Sequence, residues 1–167
     1  MVIINYIVIG TDCSGKTSLV DMLSDITEFK VVKGSSFEHS KCTQEELFDK
    51  FLEFTKMDAV IFDRFHICNE VYSPMYDDFA MLSDDQRRYI EREMKDKATI
   101  IYLYADDEVL EERFNSRGDD YVSLEKLKYA KRKYEEAIHK IKHLEVVKFN
   151  TGKMTTKEIV EQILLHY

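Results

Sequence analysis

The sequence has little proline, little glycine and no paired cysteines: one Pro, five Gly and three Cys in 167 residues. A single Pro, with no Pro-rich or Ser-rich stretch, leaves nothing that reads as a linker, so one domain over 1–167 is expected, long enough to enclose one core. Cys13, Cys42 and Cys68 are odd in number and lack CxxC spacing. Reduced thiols in the cytoplasm suit that pattern, and no signal peptide is evident. Basic residues are in deficit, with 24 Lys and Arg against 32 Asp and Glu for a formal net charge of −8. Chains that grip a nucleic acid backbone usually carry a basic face, so no nucleic acid partner is expected, although an acidic chain can keep one local basic cleft. The apolar start, Met1 to Ile9, is too short to span a bilayer, and no membrane partner is expected. Internal repeats and low-complexity tracts are absent.

Four apolar runs read as strands buried on both faces: Val2–Ile9, Ala59–Asp63, Ala98–Tyr104 and Leu144–Phe149. Phe29–Val32 is a weaker fifth. Helical patterns alternate with them. Lys16–Ser24 places Leu19, Val20 and Leu23 on one face, and Thr43–Lys56 opens with Thr43 and Glu46 as a capping box. Ser83 and Gln86 open another helix, running to about Met94. Asp106–Arg117 is closed by Gly118, Leu124–Ile141 is long, and Thr155–Leu165 buries Ile159, Val160, Ile163 and Leu164. Strands alternating with helices predict an α/β fold, a parallel five-stranded sheet with helices on both faces and ligands beyond the carboxyl ends of the strands.

Directly after the first strand, residues 10–17 read GTDCSGKT and match GxxxxGK[ST] in full. Gly10 and Gly15 permit backbone angles that let successive N–H groups face one anion, and the helix that follows adds its positive end. Lys16 can neutralise β and γ phosphates, and Thr17 offers a hard oxygen to Mg2+. Asp12, Cys13, Ser14 and Ser18 complete the candidate cofactor-binding loop, with Cys13 read as a spacer. The third strand ends in Asp63 and Arg64. A carboxylate there can help hold Mg2+, and the arginine fork suits a second phosphate, against the plainer reading of a strand-end ion pair. Arg113 and Arg117, four apart on one helix, have no upstream carboxylate at helical spacing. An outside polyanion is the better partner for them than a surface ion-pair lattice. The five histidines show no metal spacing, and Lys126 to Lys133 reads as a solvated helix face.

These blocks resemble the thymidylate kinase and deoxynucleoside (monophosphate) kinase group of P-loop kinases. YIVIGTDCSGKTSL looks like the group's P-loop, AVIFDRFHICNEVY its DR-aromatic block, and IIYLYADDEVLEERFNSRGDD its fourth strand and lid. The resemblance implies a three-layer P-loop nucleotide kinase fold with a lid at about 106–123. It implies that Lys16 and Thr17 hold ATP and Mg2+, that Asp63 positions magnesium or the acceptor, and that Arg64 clamps an acceptor phosphate. Arg113 and Arg117 would close on the transferred group, and Asp12 would touch the sugar 3′-hydroxyl. Phe37, Phe65 and Tyr72 fall at or near the acceptor. The group's glutamate before the P-loop is Ile9 here. The glutamate that nucleoside kinases carry after the second strand is missing, and lysines stand in KVVKGSS instead. That favours an acceptor already bearing phosphate. The expected activity is therefore transfer of the γ-phosphoryl group of ATP to a deoxynucleoside monophosphate, a small-molecule acceptor. The alternatives are a deoxynucleoside kinase, a kinase acting on a base or end within DNA, and a nucleotide-dependent switch, although the guanine-reading NKxD motif of GTPases is absent. Assembly into a homodimer stays open.

Overall fold

The computed structural model describes residues 2–35, 41–117 and 123–167. Of the positions singled out in the sequence, Phe37 and Gly118 lie outside the described residues, as do parts of the KVVKGSS stretch and of the lid.

Five strands form one sheet: β1 (Asn5–Ile9), β2 (Lys30–Lys33), β3 (Val60–Asp63), β4 (Ala98–Tyr104) and β5 (Glu145–Asn150). Their order is β2-β3-β1-β4-β5, every neighbouring pair is parallel, and β1 lies at the centre. Seven α-helices are described: α1 (Lys16–Thr27), α2 (Gln44–Phe54), α3 (His66–Tyr72), α4 (Asp84–Met94), α5 (Asp107–Arg117), α6 (Leu124–His139) and α7 (Thr156–His166).

The period-2 geometry of a strand explains why the central runs are apolar throughout. Ile7 and Ile9 of β1, Phe62 of β3 and Tyr102 of β4 enter a core shared with α2, α3, α4 and α6. The alternate residues Tyr6, Val8, Ile61 and Ile101 enter a second core under α1 and α7. Ile7, Val8 and Ile9 have no exposed surface, and burying each such side chain is worth roughly 1.5–3 kcal/mol.

The start of the first strand differs from the sequence expectation. Val2 and Ile3 are exposed, and pairing begins at Asn5, whose side chain bonds Met57 O and Val60 N. β2 is a true edge strand, its two valines flanked by lysines that discourage further pairing. Ser83 caps α4 with the complete capping box expected, and Thr155 caps α7 with another, whereas at α2 Thr43 accepts from Glu46 N without the reciprocal bond of a full box. Leu164, expected to be buried, is instead exposed on α7.

Helix α3 was not legible in the sequence. Its seven residues, HICNEVY, bury His66 and Asn69 together with the apolar positions. Their partners come from far along the chain. His66 pairs with Glu91 at 2.9 Å, and Asn69 bonds both Ala80 O and Leu82 N. Polar residues with distant partners blur an amphipathic pattern in so short a segment.

Candidate active site

Beyond the carboxyl ends of β1, β3 and β4 opens a cleft of about 990 Å³, the place a sheet of this kind offers a ligand. Residues 10–15 curl between β1 and α1 at its base. Gly10 has φ +153°, and a Cβ there would lie 2.5 Å from the Leu103 carbonyl oxygen, so strand β4 permits no side chain. Gly15, at φ +96°, is the left-handed residue that opens α1. The loop also holds Cys13 at φ +64°.

Lys16 is buried, its Nζ donating to Thr11 O at 3.1 Å. Burial first, and the Arg64 charge second, push its ammonium down to about 8. The Ser14 hydroxyl is buried with no hydrogen-bond partner among the described residues. A loop with a buried ammonium, an orphaned donor and a following helix N-terminus suits a phosphate chain. Thr17, exposed on the first turn of α1, lines the cleft together with Asp63. Two hard oxygen donors of this kind fit a magnesium ion that takes its remaining ligands from phosphate and water. Among the described residues there is no cluster of three or more His, Cys, Asp or Glu that would make a metal site by itself.

The end of β3 supplies the second half. Arg64 sits in the left-handed region at φ +70°, a conformation costing a non-glycine residue about 1–2 kcal/mol. The peptide that precedes it is held at both of its polar atoms, Arg64 N donating to Val8 O at 3.0 Å and Asp63 O accepting from Gly34 N at 3.2 Å. Its guanidinium lies 5.2 Å from the Tyr72 ring centre and donates through Nη2 to Asp12 at 3.1 Å. Burial raises the Tyr72 and Tyr134 phenols above their usual range, so the rings around Arg64 stay neutral. Asp63 accepts from Lys33 Nζ at 2.7 Å, an ion pair across the ends of β2 and β3.

Two expectations change. Phe65 follows Arg64 but has no exposed surface; it packs edge-on against Phe51, with ring centres 5.1 Å apart, and tilts against Phe62. It belongs to the core and presents nothing to the cleft. Arg113, at the wall of the cleft, already has partners within the protein. Nη1 donates to Cys13 O and Thr151 Oγ1, both at 2.9 Å, and Nη2 to Thr151 O at 2.8 Å. Arg117, one turn on, is exposed and, among the described residues, reaches the Cys13 sulfur at 3.7 Å.

The structure thus gathers Asp12, Lys16, Thr17, Asp63, Arg64, Arg113 and Arg117 at one cleft. It brings in Lys33 of the KVVKGSS stretch and Glu112 of the lid block, and adds Thr151, which no motif marks. A place just past the carboxyl end of β5 was the one sequence signal available for Thr151. Among the described residues five cations line the cleft, Lys16, Lys33, Arg64, Arg113 and Arg117, against three carboxylates, Asp12, Asp63 and Glu112. The described lining is thus basic on balance, in a chain whose formal net charge is −8.

No family model matches the chain. It is 34% identical over 155 residues, 93% of either chain, to the SPbeta prophage-derived uncharacterized protein YorR of Bacillus subtilis (strain 168). The crystal structure of YorR, in complex with phosphorylated GDP, matches with a TM-score of 0.91 over 96% of this chain and 94% of that one. More distant structures share the fold alone. Deoxyadenosine kinase from M. mycoides, with products dCMP and dCDP bound, is 15% identical with a TM-score of 0.60 over 97% of each chain. Thymidylate kinase from Candida albicans is 14% identical with a TM-score of 0.59 over 96% of this chain and 89% of that one. The expected three-layer architecture is the one observed: the chain has the fold of the P-loop kinases, and it belongs to the family of YorR.

Proposed function

We propose that this protein is a nucleotide kinase that transfers the γ-phosphoryl group of ATP to a deoxynucleoside monophosphate. The observation that carries the reading is the charge pattern of the cleft. Among the described residues the cations outnumber the carboxylates, and the two carboxylates taken to face the acceptor, Asp12 and Asp63, are already held by Arg64 and Lys33. A nucleoside acceptor must give up a hydroxyl proton to a base. A monophosphate acceptor is an anion at neutral pH and asks for cations instead.

In this reading Lys16 leaves Thr11 O for the β and γ phosphates, and the loop N–H groups hold the β phosphate. Arg64, set by Asp12 and Tyr72, takes the acceptor phosphate. Arg117 reaches the transferred group from α5. Thr17 and Asp63 would hold magnesium, which would draw negative charge from the bridging phosphates. The protein's part is positioning and charge neutralisation, with no covalent chemistry of its own.

The test is a screen of nucleosides and their monophosphates as acceptors, with ATP and magnesium, read as ADP release. YorR was solved with phosphorylated GDP, so guanosine nucleotides belong in the screen as donors and as acceptors. Turnover confined to monophosphates supports the proposal. Turnover of nucleosides alone would replace it with a deoxynucleoside kinase.

A further inference from the structure

Thr151 is the first residue after β5. Its N–H donates to Tyr104 O at 2.8 Å, extending the β4–β5 ladder by one step. Its hydroxyl is a crossing point, donating to Ser14 O at 2.8 Å and accepting from Arg113 Nη1 at 2.9 Å. The Tyr104 carbonyl, at 3.3 Å, is the poorer claimant on the one hydroxyl proton. Arg113 Nη1 also takes Cys13 O at 2.9 Å, and Nη2 takes Thr151 O at 2.8 Å. Two successive carbonyls of the phosphate loop, Cys13 and Ser14, are thus held from one side by groups that are bonded to each other.

We infer that Thr151 is a positioning residue for the anion cradle: by holding the Ser14 carbonyl it aims the Gly15 N–H at the triphosphate. No cis peptide is present among the described residues, and in a planar trans peptide the C=O and N–H point in opposite directions. A bond that fixes the Ser14 carbonyl toward Thr151 therefore fixes the Gly15 N–H away from it, toward the hollow of the loop. Glycine is where such a restraint matters. Gly15 is exposed, lies at φ +96° and has no Cβ to resist a peptide flip, and a flipped peptide would turn a carbonyl oxygen toward the phosphates. The Thr151 methyl carbon sits 3.6 Å from where a Gly15 Cβ would lie, so methyl and hydroxyl both brace this turn.

The inference rests on the loop being the donor site. Thr151 also lines the cleft, so a direct contact with the nucleotide is the rival account. Two substitutions separate them. Thr151→Val keeps the shape and removes the hydroxyl, while Thr151→Ser keeps the hydroxyl and removes the methyl. Calorimetry on the full chain uses two probes with magnesium, ATP and inorganic tripolyphosphate. Thr151→Val should weaken both by about 10-fold or more, and Thr151→Ser should stay within about threefold of the unmodified protein. The acceptor KM at saturating ATP should move less than about twofold in either. Unchanged binding by Thr151→Val overturns the inference. A loss for ATP but not tripolyphosphate overturns it in favour of direct contact with the nucleoside. Equal losses in the Val and Ser variants overturn it in favour of methyl packing. Should the Val variant not fold, Thr151→Ala judged against Thr151→Ser gives the same comparison. If the unmodified protein binds neither probe, the donor-site reading itself fails and the inference falls with it.

Discussion

Asp12 and Arg64, 52 residues apart in the chain, meet at 3.1 Å and join the phosphate loop to the turn after β3. The two side chains are 31% and 29% exposed, so the pair adds no more than about 1 kcal/mol to stability. Its value lies in where it holds the arginine. Asp12→Asn should leave unfolding nearly unchanged and raise the acceptor KM about 10-fold, with the donor KM little altered. Two-substrate kinetics beside a denaturation curve would check this; equal rises in both KM values would contradict it.

Arg113 and Arg117 should behave differently, although they share a helix face. Arg113→Met strips partners from the Cys13 carbonyl and from Thr151, so it should destabilise the protein by about 1–3 kcal/mol and weaken donor binding. Arg117→Met breaks no strong contact among the described residues, and should lower kcat by about 10²-fold with thermal stability unchanged. Parallel melting and kinetics of the two variants would show the split. Identical behaviour would return both residues to one role.

What the sequence made legible follows from the range of each interaction. The phosphate loop was readable because its requirements are local: two glycines, a lysine and a hydroxyl within eight residues, between a strand and a helix. The central strands were readable because both of their faces are buried. The Arg113 partners were not, because Thr151 is 38 residues away and Cys13 is 100, beyond any helical spacing. The same holds for the lysines of α6. Lys131 and Lys128 do not simply face water; they pair with Asp107 and Glu111 of α5. Phe65 was assigned to the acceptor by the resemblance of its DR-aromatic block, yet beyond the left-handed turn at Arg64 its side chain lies in the core.

The Lys16 ammonium gives a pH signature. In the folded protein it titrates near 8, well below its ordinary 10.5. Between those values the unfolded state holds more protons, so stability should rise with pH across that window, the buried charge being a burden below it. A bound polyanion restores the charge, so nucleotide binding should take up a fraction of a proton that grows between about pH 7 and pH 9. Calorimetry in buffers of different ionisation heat would measure it, and Lys16→Met should abolish it. Binding heats independent of buffer would contradict this account of the lysine.

Gly34 should tolerate no side chain. A Cβ there would overlap the Arg64 carbonyl oxygen and press on the Phe65 ring. Gly34→Ala should therefore cost about 1–3 kcal/mol and move Arg64 as well, raising the acceptor KM more than the donor KM. Normal stability and kinetics in this variant would mean that the backbone around Arg64 shifts without consequence.

The central claim is that the acceptor already carries a phosphate. The most direct measurement is kcat/KM for matched acceptor pairs, such as thymidine and thymidine monophosphate, repeated for each base, in the unmodified protein and in Arg64→Ala. The account predicts that the monophosphate is favoured by at least ~10²-fold, and that Arg64→Ala removes most of this preference because the acceptor phosphate then lacks its counter-charge. Nucleosides used as well as or better than their monophosphates would contradict it.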